Sequence, residues 1–260
     1  MILLIALTLF ALVIFLFIKF IIKKDRGHKE PLGALLTAMG FGFLAVILAS
    51  ILEYLFIPKA IEAGLSAGKS IEMSFNLLQA SLMIGVVEEG VKAIPLALFI
   101  FSRKYFDELT DGVIYFGITA LTFGMIENIG YGLSYGIGTG IFRIIFLPYL
   151  HAGFTILFGI SLAYKKVLNK SWLVVVGGFT SAVLVHTIYD FFAFAGGLGM
   201  LVVLIITVGL NIMLFVLFKK AQKGDEARGQ SSLGANNFCQ FCGNPNPKNM
   251  LYCSFCGKRT

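Results

Sequence analysis

The stretch NLLQASLMIGVVEEGVKAIPLALFIF, residues 76–101, decides the fold and also holds the residues that are hardest to place within it. It is apolar over enough residues to cross a bilayer as a helix, which takes about 20. Its centre nevertheless carries three ionisable residues, Glu88, Glu89 and Lys92. A charge at that depth costs about 2.5–3.5 kcal/mol on insertion scales. We therefore expect this stretch to be a membrane span that carries the chemistry of the protein.

The composition of the whole chain is that of an integral membrane protein. Of its 260 residues, 58% are hydrophobic and only 13% are charged, whereas soluble domains carry about 25% charged residues. The predicted fold class is all-α and polytopic, with seven transmembrane helices at residues 1–22, 32–57, 76–101, 112–135, 141–164, 172–195 and 198–218. The first run has no basic residues before it and no small-residue cleavage site after it, so we expect a helix there and not a signal peptide.

Basic residues of the predicted connections fall mostly on one side of these spans. That side collects Lys23, Lys24, Arg26, Lys29, Arg103, Lys104, Lys165, Lys166, Lys170, Lys219, Lys220 and Lys223. The other side receives only Lys59, Lys69 and Arg143. Because basic loops stay in the cytoplasm, we predict a cell-membrane protein with its N-terminus outside and its C-terminal tail in the cytoplasm. The net charge of +7 follows from this bias, so we expect the lipid bilayer as a partner and not nucleic acid.

All four cysteines lie in the C-terminal tail, as two CxxC pairs that are each followed by glycine: Cys239, Cys242, Cys253 and Cys256. This spacing is typical of a zinc ribbon, in which four thiolates bind one structural Zn²⁺. Two disulfides are the alternative, which a reducing cytoplasm disfavours. We predict a membrane domain at 1–223, a flexible linker at 224–237 and a small cytoplasmic zinc ribbon at 238–260 that binds a cytoplasmic partner.

Polar residues recur in the three predicted spans that follow the opening stretch. They are, in chain order, Glu127 and Asn128, with Phe123 one turn before them, then His151, and then His186 and Asp190 one turn apart. A purely structural role is the alternative for each, either as an interhelical hydrogen bond or as a buried ion pair. At about 1.5 Å per residue, however, these groups and Glu88 reach one depth. We therefore expect a common polar cavity among spans three to six, because intramembrane charges face a bundle interior or water.

The opening motif itself has a local geometry that can be predicted. Glu88 and Lys92 are four residues apart, so they share a helix face and can pair. Glu89 points about 100° away from Glu88, so we expect only one of the two glutamates to face Lys92. Pro95 and Pro148 are each expected within a span, where a proline leaves a backbone carbonyl without its helical donor. Such carbonyls need polar or wet surroundings.

Together these motifs resemble the PrsW family of membrane proteases, which is related to the CAAX prenyl proteases and the bacterial CPBP proteins. The resemblance covers residues 76–195 and rests on EExxK at 88–92, FxxxEN at 123–128, the histidine at 151 and HxxxD at 186–190. It implies an intramembrane endopeptidase of the glutamic type. The namesake of the family acts on a membrane-anchored anti-sigma factor, so the resemblance implies a membrane-anchored protein as substrate.

The resemblance also implies a role for each matching position. Glu88 or Glu89 would activate water and His186 would be the second catalytic group; the supporting residues would be Lys92, Phe123, Glu127, Asn128, His151 and Asp190. One alternative is a Zn²⁺ held by glutamate and histidine. We favour a site without metal, because no HExxH is present and Lys92 would compete with a cation. A different class of protein, a proton- or ion-coupled transporter or channel, would use the same buried Glu, His and Asp as a relay.

Overall fold

The computed structural model describes residues 29–57, 73–147 and 149–228, five helical positions between 8 and 19, and parts of 237–258. The predicted class, an all-α polytopic membrane protein with a small cysteine module, is confirmed. The helices are α1 (Leu32–Phe56), α2 (Phe75–Ile100), α3 (Leu109–Tyr135), α4 (Ile137–Phe146), α5 (Leu150–Leu168), α6 (Trp172–Ala195) and α7 (Gly199–Ala227). In the tail, β1 (Asn237–Phe238) and β2 (Pro245–Asn246) pair antiparallel. Most of the predicted span at 1–22 lies outside the described residues.

Four of the described helices, α1, α3, α6 and α7, are long and apolar enough to cross a membrane. Helix α2 is equally long, but every 18-residue window within it contains Glu88, Glu89 and Lys92. Ser74 is the N-cap of this helix, and its side chain accepts a hydrogen bond from the Leu77 amide. Pro95 lies inside α2 as predicted, and the helix continues past it to Ile100.

Helix α3 lies at the centre of the bundle, with α1, α5, α4, α7 and α2 packed around it. Close backbone contacts at glycines allow this arrangement. A Cβ on Gly112 of α3 would overlap the carbonyl of Gly159 on α5, and a Cβ on Gly159 would overlap the carbonyl of Gly112. On the other flank, a Cβ on Gly42 of α1 would overlap the carbonyl of Thr119. These contacts fix the positions of α1, α3 and α5 relative to one another.

The predicted fifth span, 141–164, is wrong as a single helix. The chain forms two helices there, α4 and α5, with Leu147 to Tyr149 between them. The residue before a proline is disfavoured in the helical region, and α4 ends one residue before Leu147, which precedes Pro148. The predicted glycine-rich connection at 136–140 is only one residue long. Gly136 turns the chain with φ +96°, and α4 begins at the next residue.

The last helix is longer than predicted. Gly196 and Gly197 turn the chain with positive φ, and α7 continues to Ala227, four residues into the predicted linker. Asp225 explains the extension, because its carboxylate accepts hydrogen bonds from the backbone amides of Leu109 and Thr110 at 2.8 and 3.0 Å. These amides belong to the first turn of α3, where backbone donors lack helical partners. The end of α7 therefore caps the start of α3.

Candidate functional site

A polar pocket of about 560 Å³ lies near the end of the bundle where α1, α3 and α6 terminate. The structure brings five of the predicted site residues to its walls: Glu88, Glu127, His151, His186 and Asp190. They come from α2, α3, α5 and α6, so four helices each supply part of the site. All but Glu127 are less than 9% exposed. The arrangement is a cluster of charged side chains inside the helix bundle.

Lys92 contacts both glutamates of the motif, so the expectation that only one would face it is wrong. Its Nζ lies 3.2 Å from Glu88 Oε2 and 2.6 Å from Glu89 Oε1. The long side chain passes between the i−4 and i−3 positions, which flank it on the helix surface. Its Nζ also lies 4.5 Å from the centroid of the Phe123 ring. Thr155 on α5 donates a further hydrogen bond of 2.7 Å to Glu89 Oε2.

The two glutamates differ in what they face. Glu89 is completely buried and its carboxylate is occupied by Lys92, Thr155 and His186. Glu88 is 6% exposed and lines the pocket, whereas Glu89 does not. Of the two glutamates, only Glu88 is therefore in a position to contact a molecule in the pocket.

His186 is held between two carboxylates. Its Nδ1 lies 2.9 Å from Glu89 Oε1, so we assign the ring proton to Nδ1, which donates to that carboxylate. Its Nε2 faces the pocket, 3.7 Å from Glu88 Oε2 and 3.4 Å from Asp190 Oδ2. The ring stacks on Phe154 with a centroid distance of 4.5 Å and an interplanar angle of 12°. Packing and the Glu89 hydrogen bond thus fix the orientation of the imidazole.

His151 is oriented in the same manner from the opposite wall. Its Nε2 lies 2.7 Å from Glu127 Oε2, which assigns the ring proton to Nε2. Its Nδ1 then offers a lone pair towards Lys92 Nζ at 3.3 Å and Glu88 Oε2 at 3.6 Å. Gly124 makes room for this ring, because a Cβ there would overlap the His151 Cδ2 atom. Two carboxylate–histidine pairs therefore point their free nitrogens at Glu88.

Asn128, another predicted site residue, does not line the pocket. It is buried against α4, where Arg143 Nε donates a 2.8 Å hydrogen bond to its Oδ1. Arg143 also lies 3.6 Å from Glu127 Oε1 and 3.7 Å from the centroid of the Tyr131 ring. Asn128 thus positions Arg143, which lines the pocket and which the motifs did not identify.

Glu53 on α1 is a second pocket residue that the motif analysis missed. It lines the same space, and its Oε1 is buried with no hydrogen-bond partner among the described residues. Its helix carries no recognisable motif, but an ionisable residue in an apolar span is itself a functional signal. Tyr189, one residue before Asp190, also lines the pocket.

The donor set of the pocket fits a divalent metal ion. Glu88, His151 and His186 each offer one ligand atom, and these atoms lie within 4.8 Å of one another. Two donors of a tetrahedral Zn²⁺ site lie about 3.3 Å apart at the usual bond lengths, close to the 3.6 and 3.7 Å from Glu88 Oε2 to the two imidazoles. Histidine ligands commonly donate their second N–H to a carboxylate, as His186 does to Glu89, and His151 Nε2 lies 2.7 Å from Glu127 Oε2. Lys92 Nζ lies beside the same atoms and is the competing cation.

The cysteine tail forms a second candidate metal centre. Its four sulfurs lie within 4.8 Å of one another, with 3.6 Å between Cys239 and Cys256 and between Cys242 and Cys253. Thiolates around one Zn²⁺ lie about 3.8 Å apart, whereas a disulfide requires about 2.05 Å. None of the four cysteines forms a disulfide, and the sulfur spacing is one that could hold a metal ion. The module packs on the membrane domain through Gly243, where a Cβ would lie 2.7 Å from the Tyr105 ring.

Comparison with known proteins places the membrane domain in a family. Residues 30–218 match the family described as "PrsW family intramembrane metalloprotease". Protease PrsW of Geobacillus kaustophilus is 28% identical over 173 residues, which cover 66% of this chain and 72% of the relative. Protease PrsW of Clostridioides difficile is 30% identical over 177 residues, covering 65% and 71%. Protease PrsW of Bacillus subtilis is 27% identical over 172 residues, covering 65% and 73%.

No solved structure matches the chain. The cysteine tail lies outside the matched residues, so the family assignment concerns the membrane domain. All three of these relatives are named as proteases, and the alternative of a transporter or channel has no support. The match spans most of the chain and includes every motif that forms the pocket. The chain belongs to the PrsW family of intramembrane proteases.

Proposed function

We propose that the protein hydrolyses a peptide bond of a membrane-anchored protein in the pocket around Glu88. The observation that carries this proposal is the convergence of His151 Nδ1 and His186 Nε2 on Glu88 Oε2, at 3.6 and 3.7 Å. Amide hydrolysis needs an activated water and a group that stabilises the oxyanion. A carboxylate between two oriented imidazoles supplies both in one pocket.

Glu88 is the residue that holds the attacking water, and Glu89 is a positioning residue. Glu88 Oε2 faces the pocket and has the Lys92 ammonium at 3.2 Å. Water bound to Glu88 can pass its proton to Oε2 as it attacks the substrate carbonyl, which is general base catalysis. Glu89 acts through His186, whose Nδ1 proton it accepts.

His186 stabilises the oxyanion that forms on the substrate carbonyl. Its Nε2 points into the pocket, 3.4 Å from Asp190 Oδ2, where a protonated Nε2 would donate a hydrogen bond to the oxyanion. His151 and Glu127 form the opposite wall and orient the water. Lys92 balances the two carboxylates of α2 and keeps Glu88 in place.

A divalent ion, as the family description implies, would be held by Glu88, His151 and His186, and would lower the pKa of a bound water. The protein's own residues retain their roles in that case. Glu89 and Glu127 accept the second N–H of the two imidazoles and hold both rings towards the pocket. Asp190 and Glu53 remain available to bind the substrate or its leaving amine.

The pocket opens at the end of the bundle away from the cysteine module. With the basic connections in the cytoplasm, we place the N-terminus and the pocket opening outside and the tail inside. The tail is a structural zinc site with four protein ligands, and its exposed face binds a cytoplasmic partner. The substrate's membrane anchor brings the scissile bond to the depth of the pocket.

The test compares membrane proteomes of cells that express the wild-type chain, Glu88→Gln or the control Glu226→Gln, which changes a half-buried glutamate of α7 outside the pocket. We expect fragments of single-span membrane proteins in the wild type and the control, and their loss with Glu88→Gln at equal expression. Fragments that persist with Glu88→Gln would overturn the role of Glu88.

Metal analysis of the purified chain tests whether the pocket binds a metal ion. Purified chain with all four tail cysteines changed to serine has lost the ribbon site but keeps the pocket. About one equivalent of zinc in this variant, lost on combining it with His151→Gln, supports a metal in the pocket. Full protease activity with no bound metal supports the metal-free mechanism.

A further inference from the structure

A second cavity, of about 910 Å³, adjoins the polar pocket and lies between α4, α6 and α7. It shares five lining residues with the pocket: Tyr131, Arg143, Tyr189, Ala193 and Phe194. Its other walls are mostly apolar, with Phe142 and Leu147 on one side and Val203, Leu204, Val208 and Ile212 on the other. We call this cavity the lateral groove. The lateral groove and the polar pocket are continuous. The groove is mostly apolar, whereas charged residues line the pocket.

The lateral groove opens towards the lipid. Helix α4 packs mainly on α3, whereas α7 packs on α3, α5 and α6, and the described residues show no extensive packing between α4 and α7. Groove residues on α7 are accordingly accessible, with Leu204 and Ile212 each 59% exposed. The contact of α4 with α3 is held by Gly132 and Gly140, where a Cβ on Gly140 would lie 2.6 Å from the Gly132 Cα. Space between α4 and α7 therefore connects the bilayer with the catalytic groups.

The apolar wall of the groove carries a short polar ladder on α7. Thr207 Oγ1 donates to the Val203 carbonyl, and Asn211 Nδ2 donates to the Thr207 carbonyl, each at 2.8 Å. The Asn211 amide oxygen is left as an acceptor towards the groove, and Thr139 adds a hydroxyl from α4. The acyl chain of a lipid cannot form hydrogen bonds with these groups. An unwound peptide can, and each backbone N–H or C=O freed from a helix in lipid costs several kcal/mol unless it finds such a partner.

We propose that the lateral groove receives the transmembrane segment of the substrate, which enters between α4 and α7 and lies there partly unwound. This inference rests on the proposed function and adds the route and the kind of segment. Arg143 is the only charged residue among the described residues that line the groove, and Glu127 and Asn128 already contact it. The groove therefore selects an apolar segment, and the residues that follow it reach Glu88 through the shared opening.

The test uses a defined probe and needs no hydrolysis. The probe is a synthetic biotinylated peptide with a Leu/Ala segment of about 20 residues, two central glycines and flanking lysines, in phosphatidylcholine vesicles. The full chain with Glu88→Gln carries the photoreactive residue p-benzoylphenylalanine at Leu204 or Ile212. Matched controls carry it at Leu201 or Ile205, which are 60% and 71% exposed on α7 but lie outside the groove.

We expect crosslinks to the probe from the two groove positions to exceed those from the two controls by at least about tenfold, or about 1.4 kcal/mol of preference. A probe with leucines in place of its central glycines should crosslink less, because it resists unwinding. Equal yields at all four positions, or no crosslink from the groove, would overturn the inference. Because the Glu88→Gln chain does not cleave, the crosslinking result is independent of the proteomic test. Crosslinks from the groove positions, together with no proteolysis by the wild-type chain, would refute the proposed function but not the inference about the groove.

Discussion

The substitution Glu89→Gln separates stability from catalysis within one dipeptide. The Lys92 side chain is completely buried, and its Nζ lies 2.6 Å from Glu89 and 3.2 Å from Glu88. Removing one partner of a buried ion pair costs about 3–5 kcal/mol. Because Glu88 remains and glutamine retains one acceptor, we expect the lower end, about 3 kcal/mol. At about 2–4 °C per kcal/mol, the melting temperature in detergent should fall by about 6–12 °C.

Glu88→Gln is the matched control and should behave in the opposite way. Glu88 meets Lys92 at the longer distance and faces the pocket, so its loss costs only about 1 kcal/mol. Its proteolysis should fall by about 10²–10⁴-fold, the contribution of a general base. Glu89→Gln should retain measurable proteolysis, reduced by about 10–100-fold as for other groups that orient a catalytic residue.

A rescue variant completes the design. Glu88→Gln combined with Glu89→Gln leaves the buried Lys92 without a carboxylate on its helix and should melt below either single variant. Adding Lys92→Met to this double variant removes all three charges of the motif, and replacing buried ion pairs by apolar groups is often neutral. We therefore expect most of the lost melting temperature to return. The reasoning is refuted if Glu89→Gln has the same melting temperature as Glu88→Gln, or if the triple variant melts below the double variant.

Further predictions concern the supports of the site. Gly124→Ala should displace the His151 ring and lower proteolysis by about 10²-fold, whereas Gly130→Ala on the same helix, with open space at its Cβ, should leave proteolysis unchanged; equal activities would contradict this. Asp225→Asn weakens the cap of α3 and should cost about 1–2 kcal/mol, measured as a lower melting temperature; an unchanged value would show that the cap is dispensable. The purified chain should contain zinc that is lost when the four tail cysteines become serines, by metal analysis; unchanged zinc would exclude the ribbon.

The depth and order of the polar motifs were readable from the sequence because ionisable residues are rare in apolar spans. Glu88, His151 and His186 stand out against their neighbours, and helical rise alone brings them to one level. The break before α5 also has a sequence signal, since Leu147 precedes a proline, but the hydrophobic run continues across it and predicts a single helix. Hydropathy along the sequence does not reveal a break between two helices that are both apolar.

Other features depend on tertiary structure, and no sequence motif indicates them. The role of Arg143 depends on where α4 packs, which is set by the close approach of Gly132 and Gly140. Lys92 reaches both glutamates because its side chain is long and flexible, which an argument from helix angles alone cannot capture. Glu53 has no motif around it, and only the bundle shows that it faces the same pocket.

The arrangement of charges on α2 has a consequence for the biosynthesis of the protein. Lys92 and its two carboxylates are all on one helix, so two of the three charges neutralise each other as soon as that helix forms, before any neighbour arrives. One negative charge is left over, and insertion of a single charge costs about 3 kcal/mol. Its other contacts, His151 and His186, are synthesised more than 60 residues later. We therefore expect the charges of α2 to be only partly compensated in the nascent chain until α5 and α6 have been synthesised.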